Sequence, residues 1–223
     1  MKRIAANMAL STALAAALLA LSGCIGAPSA GNARLEALGG TPLVLEPSFV
    51  ASAATRRDTE HSFWFSTVPL SALADLPASA PVPDAVFVHI QMVWTPAPGL
   101  TPLDDTAMNA VVRTVVVSGG EIGIYGGGAF VRPTGLDEDE STTGEPTTWS
   151  LEIEGGSVSL LEKTAGFSDL LSPAGFAGSF KAERNQAGAD AWRRAVSQIA
   201  TNRFGRSMWV SADRAAHRSA ALR

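Results

Sequence analysis

The chain contains very little cysteine and histidine: one Cys and three His among 223 residues. A single thiol excludes an intramolecular disulfide and a zinc site built from several thiolates. His61, His89 and His217 lie far apart in the sequence, without the HExxH or His-x-His spacing of common metal sites. We therefore predict no resident metal and expect the apolar core to provide the stability of the fold.

The motifs of common catalytic and phosphate-binding sites are also missing. No Gly-x-Ser-x-Gly elbow or catalytic Ser-x-x-Lys setting occurs, and Gly126–Gly128 is not followed by the Lys-Ser/Thr of a P-loop. These glycines predict a bulge, a bend or a close backbone approach in a strand. The run Asp137–Glu140 lacks the alternate spacing of a calcium loop and predicts a solvated loop. We predict no catalytic residue and no cofactor. A triad assembled only in space stays an alternative.

Charge is unevenly distributed along a chain whose net charge is −4 at pH 7. From Lys181 to Arg223 there are nine basic and three acidic residues, whereas acidic residues predominate before Lys181. Such asymmetry favours either docking of the C-terminal segment on an acidic body or an external anionic partner.

The N-terminal segment has the three parts of a secretory leader. Lys2 and Arg3 precede the uncharged, Ala- and Leu-rich residues 4–22, and the run Leu21–Cys24 reads Leu-Ser-Gly-Cys. This pattern resembles the leader and lipobox of bacterial lipoproteins. A retained transmembrane helix is the alternative, but the run is diluted by small and polar residues, and no basic cluster follows it.

The resemblance implies cleavage before Cys24, acylation of its thiol, and anchoring of an exported protein in the lipid bilayer of the cell envelope. Ile25 in place of Asp favours the outer over the inner membrane. Other envelope proteins are then candidate partners. Nucleic acid is not, because the protein is exported and its body is acidic.

Most of the remaining chain has the alternation of β-strands. In residues 85–95, Val86, Val88 and Ile90 share one face, and Phe87 and His89 share the other. Gly-Gly pairs at 119–120 and 155–156 predict two tight hairpins. After Arg184 the pattern predicts one amphipathic helix, with Asp190 as its N-cap and Gly205 as its C-terminal stop.

These features predict a mainly β fold: an antiparallel β-sandwich, or an open barrel, with one C-terminal amphipathic helix. The predicted segments are a signal peptide at 1–23, lipidated Cys24 with a flexible tether over 24–42, a β domain over 43–184, and a basic helix and tail over 185–223.

For function, the sequence favours a non-catalytic adaptor or structural lipoprotein. The alternative is a module for a small ligand, lipid or glycan, whose binding surface would include Trp64, Phe87 and His89. Covering of that aromatic face by the C-terminal helix is the preferred interpretation, because large exposed apolar patches are uncommon. A hydrolase or metal enzyme, with His61 and His89 converging on a carboxylate, is a third interpretation.

Overall fold

The computed structural model describes residues 29–40, 43–57, 60–74, 82–96, 107–134 and 148–208. They form ten strands, a one-turn helix and a long C-terminal helix. In chain order these are β1 (Gly31–Ala37), β2 (Val44–Leu45), β3 (Ser48–Phe49), β4 (Ala51–Arg57), β5 (Glu60–Ser66), α1 (Ser71–Ala74), β6 (Ala85–Met92), β7 (Ala110–Ser118), β8 (Glu121–Thr134), β9 (Thr148–Lys163), β10 (Ala174–Glu183) and α2 (Gln186–Phe204).

All ten strands belong to one antiparallel sheet, in the order β2-β1-β10-β9-β8-β7-β6-β5-β4, with β3 also paired to β1. The sheet curls until β4 meets the end of β10. There Ala54 bridges to Arg184, and the Asn185 N–H donates to the Ala54 carbonyl oxygen at 2.9 Å. The result is a half-barrel with one C-terminal helix. The predicted mainly β class is confirmed, and the single curled sheet matches the open-barrel form of that prediction.

The sheet is covered by apolar contacts on both faces. Its concave face encloses an aromatic core, which we call the inner core. Its convex face packs against α2 and forms the outer core. The inner core includes Leu35, Phe49, Phe63, Phe65, Ile90, Trp149, Phe176 and Phe180, and the outer core includes Trp64, Phe87, Val115, Ile122, Ile124, Trp192, Val196 and Ile199.

The first predicted hairpin is confirmed. Gly119 and Gly120 form the turn with φ of 57° and 80°, the left-handed conformation that glycine adopts without strain. Val117 pairs with Ile122 and Val115 with Ile124, as the two-residue loop predicts.

The second predicted hairpin is wrong, because Gly155 and Gly156 lie within the single long strand β9. A Cβ on Gly156 would lie 2.7 Å from the Cβ of Ala129 on β8. The glycine therefore allows close packing of two neighbouring strands instead of a turn. Ile153 consequently pairs with Val131 and Gly178 on neighbouring strands, not with Val158.

The tether predicted over residues 24–42 is also too long. Residues 31–37 form β1, whose whole length pairs with β10 and whose Ala33 and Leu35 enter the inner core. The folded domain thus begins near Gly31, not at residue 43. Cys24 lies outside the described residues.

The C-terminal helix is confirmed, but it begins earlier than predicted. Asn185, not Asp190, is the N-cap, and its side-chain oxygen accepts a hydrogen bond from the Gly188 N–H at 2.8 Å. Gly205 ends the helix with φ of 65°, as predicted.

Candidate functional site

The residues predicted to form a ligand surface all lie beneath α2. The side chains of Trp64, Phe87 and His89 are fully buried on the convex face of the sheet. His89 stacks on Trp64 with ring centroids 4.8 Å apart and planes 5° apart, and Trp192 of α2 meets Phe87 edge-on at 6.2 Å. The helix therefore covers this aromatic face, and a ligand has no access to it while α2 is docked.

The surroundings of His89 keep its imidazole neutral. Burial, followed by the positive charges of Arg193 and Arg113, lowers the pKa of His89 to about 3. The Arg193 guanidinium lies 4.8 Å from the centre of the Trp64 ring and pairs with Asp190 at 3.3 Å. The imidazole of His89 is therefore uncharged at neutral pH and has two positive groups close to it.

His61 occupies the other face of the sheet. It packs edge-on against Trp149 of the inner core, with ring centroids 5.5 Å apart. The two histidines are therefore separated by the sheet and do not converge. Within the described ranges, no group of three His, Cys, Asp or Glu side chains is arranged to hold a metal ion. His217 and the run Asp137–Glu140 lie outside those ranges.

Arg113 is the most unusual charged residue of the convex face. It lies opposite His89 on β7 and is half-buried, and burial lowers the pKa of its guanidinium. Its Nε is buried and has no hydrogen-bond partner in the part of the chain that the structure describes. Because arginine keeps its charge in proteins, a positive group is held here with no carboxylate paired to it among the described residues.

An exposed apolar surface continues from Arg113 along the convex face of β8. We call it the β8 strip and define it by Arg113, Leu161, Met108, Trp94 and Phe130. At alternate β8 positions, Leu161 lies over Gly126 and Met108 over Gly128, while Trp94 meets Phe130 at 6.2 Å. Leu161, Met108 and Trp94 are 54%, 51% and 37% exposed.

The glycines of β8 account for the shape of this strip. Without side chains at Gly126 and Gly128, the long side chains of Leu161 and Met108 lie flat on the sheet. At Gly127, which faces the other way, a Cβ would lie 1.8 Å from the Ser157 carbonyl oxygen. The close backbone approach predicted for this glycine run is therefore confirmed.

A second exposed apolar region lies at one end of the half-barrel. It is a cleft of about 410 Å³, which we call the rim cleft. Val116 and Tyr125 of the inner face form its deep wall, and the exposed side chains of Leu43, Val44 and Leu170 form its rim. The remaining lining comes from Leu45, Ser118, Gly166, Phe167, Ser168 and Leu171.

Hydrogen bonds fix the connection between β9 and β10, which forms one side of the rim cleft. Asp169 Oδ1 accepts from the Tyr125 hydroxyl at 2.9 Å and from the backbone N–H groups of Leu171 and Ser172 at 3.1 Å. Burial, and then the contact with Asp169, raises the pKa of Tyr125, so its hydroxyl keeps the proton that it donates. Phe167 fits against the backbone of Gly123, where a Cβ would lie 2.4 Å from the ring.

Comparison with known proteins finds no match: no family model, curated protein or solved structure is significantly similar to this chain. Among the described helices, none has the length and apolar character needed to cross a membrane.

Sequence reasoning missed both exposed regions. The signal for the β8 strip was present, because Arg113 interrupts a valine-rich strand and the glycine run follows on the next one. The rim cleft had no local signal, because its walls come from four separate parts of the chain.

Proposed function

We propose that this chain is a lipid-anchored, non-catalytic adaptor of the bacterial cell envelope, which holds another envelope protein through the β8 strip. The lipobox ending at Cys24 supports the anchor, and Ile25 supports the outer membrane as its location. The observation that carries the adaptor function is an exposed apolar strip next to Arg113, a half-buried cation for which the described ranges provide no carboxylate partner.

The composition of the β8 strip supports binding of a protein. Aromatic residues, Met and Arg are enriched at protein interfaces, and Trp and Arg are frequent among the residues that dominate binding energy. The strip combines Trp94, Phe130, Met108 and Arg113 on one sheet face. A partner that presents a carboxylate flanked by apolar side chains matches this arrangement, because it would pair the Arg113 charge and cover the strip.

A photo-crosslinking experiment in intact cells tests the proposal. A photoreactive amino acid replaces Met108 in the strip or, as a control, Val50, which is exposed elsewhere at 38%. We expect one major protein adduct from position 108 that position 50 does not give. Arg113→Met should reduce that adduct about thirtyfold, as expected for loss of a central interface arginine.

The anchor is tested in the same cells. Cys24→Ser should abolish labelling by an alkyne-bearing fatty acid and release the protein from the membrane fraction. Equal adducts from positions 108 and 50, or none from either, would contradict the adaptor proposal. Continued labelling of the Cys24→Ser variant would contradict the anchor alone.

A further inference from the structure

We propose that the rim cleft binds the alkyl chain of a membrane lipid. This site lies on the concave side of the sheet, whereas the β8 strip lies on the convex side, so the inference does not depend on the adaptor function. Three exposed apolar side chains lie together at the mouth of this cleft. Leu43, Val44 and Leu170 are 40%, 37% and 67% exposed and all border the same cleft.

The chemistry of the lining selects a hydrocarbon. Among the described residues that line the cleft none is charged, and Ser118 and Ser168 supply hydroxyl groups. The Tyr125 hydroxyl is already bound to Asp169. A peptide inserted here would bury N–H and C=O groups with few partners among the lining side chains, whereas an alkyl chain has no polar group to satisfy.

The cleft also has the size and rigidity of a ligand site. Its volume of about 410 Å³ lies within the range of roughly 300–1,000 Å³ that is usual for small-molecule pockets. The bonds of Asp169 fix one wall, and the Leu160 N–H donates to Ser172 Oγ at 2.9 Å to hold the same segment. The site is therefore formed before the ligand arrives, which lowers the entropic cost of binding.

Access and depth are consistent with an amphiphile. The lining of the cleft includes both the exposed Leu170 and Tyr125, which is fully buried in the half-barrel. An alkyl chain can enter end-on between the rim leucines, while its polar head group stays in water. The rim residues would then lie against the lipid surface from which the chain comes.

Photo-crosslinking of the full chain in lipid vesicles tests this inference. The protein is purified from membranes and reconstituted with phosphatidylethanolamine and phosphatidylglycerol, with a photoreactive residue at Ser168 in the cleft or at Val50 as a control. We expect a lipid adduct, identified by its mass, at position 168 and not at position 50. The adduct mass also distinguishes a phospholipid from a free fatty acid.

A matched pair of variants separates the cleft from general contact with the bilayer. Leu170→Asp places a charge at the rim and should lower the adduct about tenfold, because a carboxylate disfavours apolar insertion. Leu161→Asp makes the same change at an exposed leucine of the β8 strip and should leave the adduct unchanged. Circular dichroism melts establish that both variants are folded. Equal labelling at positions 168 and 50, no labelling, or equal effects of the two variants would overturn the proposal.

Discussion

His89 is buried against an indole ring and lies close to two guanidinium groups. These surroundings lower the pKa of its imidazole in the folded protein. Its pKa of about 3 in the folded protein is well below the ordinary value of about 6.5. Between these values the unfolded chain binds a proton that the folded chain does not. The free energy of unfolding should therefore fall as the pH decreases from about 6.5 towards 3, and this contribution should be constant at higher pH.

The size of the effect can be measured by urea unfolding at pH 7 and pH 5. Linkage gives a loss of about 2 kcal/mol from His89 over this interval. His89→Gln keeps a neutral polar side chain against Trp64 and should remove most of that difference. If wild type and variant lose the same stability between the two pH values, His89 is not the group responsible.

Gly127 is required by the distance between two strands. A Cβ at this position would lie 1.8 Å from the Ser157 carbonyl oxygen, so Gly127→Ala must push β8 and β9 apart. We expect a loss of about 3 kcal/mol in the free energy of unfolding, typical of severe steric disruption.

The matched control is Gly155→Ala in β9, the strand that the backbone of Gly127 approaches. A Cβ there would meet no atom within 4 Å, so the change should be neutral or stabilise by up to about 0.5 kcal/mol. Equal melting temperatures for the two alanine variants would contradict this account of the glycine run.

At the scale of the elements, α2 is attached to the sheet mainly by apolar contact. Trp192 is buried, and its Nε1 donates to the Phe65 carbonyl oxygen at 3.0 Å, while Val196 and Ile199 complete the buried face. The exposed pair Arg206–Glu162 contributes little to this contact, whereas Arg193 adds a cation–π contact with Trp64 of the sheet. Docking of the basic segment on the body is thus mainly apolar.

Trp192→Ala should therefore destabilise the whole domain. We expect a loss of about 3–5 kcal/mol, the range for truncating a buried aromatic side chain. Arg194→Ala changes an exposed position on the same helix and should alter stability by no more than about 0.5 kcal/mol. Thermal melts compare the two variants; a small effect of Trp192→Ala would mean that α2 is dispensable for the fold.

At the scale of the whole molecule, local patterns were sufficient for the elements that depend on local contacts. The alternation in β6 and the Gly119-Gly120 turn predicted their faces and register correctly. The pairing of β1 with β10 has no local signature, because it joins two neighbouring strands of the sheet that are distant in sequence. The Gly155-Gly156 pair was ambiguous for a different reason: glycine serves close packing as readily as a turn.

The candidate sites likewise divide into one that local sequence patterns identify and two that depend on strand pairing. Aromatic residues on β5 and β6 identified the buried cluster of Trp64 and His89, and the preferred interpretation that α2 covers it is what the structure contains. The β8 strip and the rim cleft required knowledge of which strands are neighbours. Met108 and Arg113 are close in sequence, but Leu161 belongs to β9, and only the sheet order brings the three side chains together over β8.

The position of β1 between β2 and β10 also determines when the protein can fold. Among the described strands, β1 is synthesised first and must wait for β10, which is synthesised last. At ribosomal rates of about 5–20 residues per second, this delay is on the order of ten seconds. Throughout that time Leu35 and the backbone edge of β1 lack their main neighbour, β10, and are open to non-native pairing.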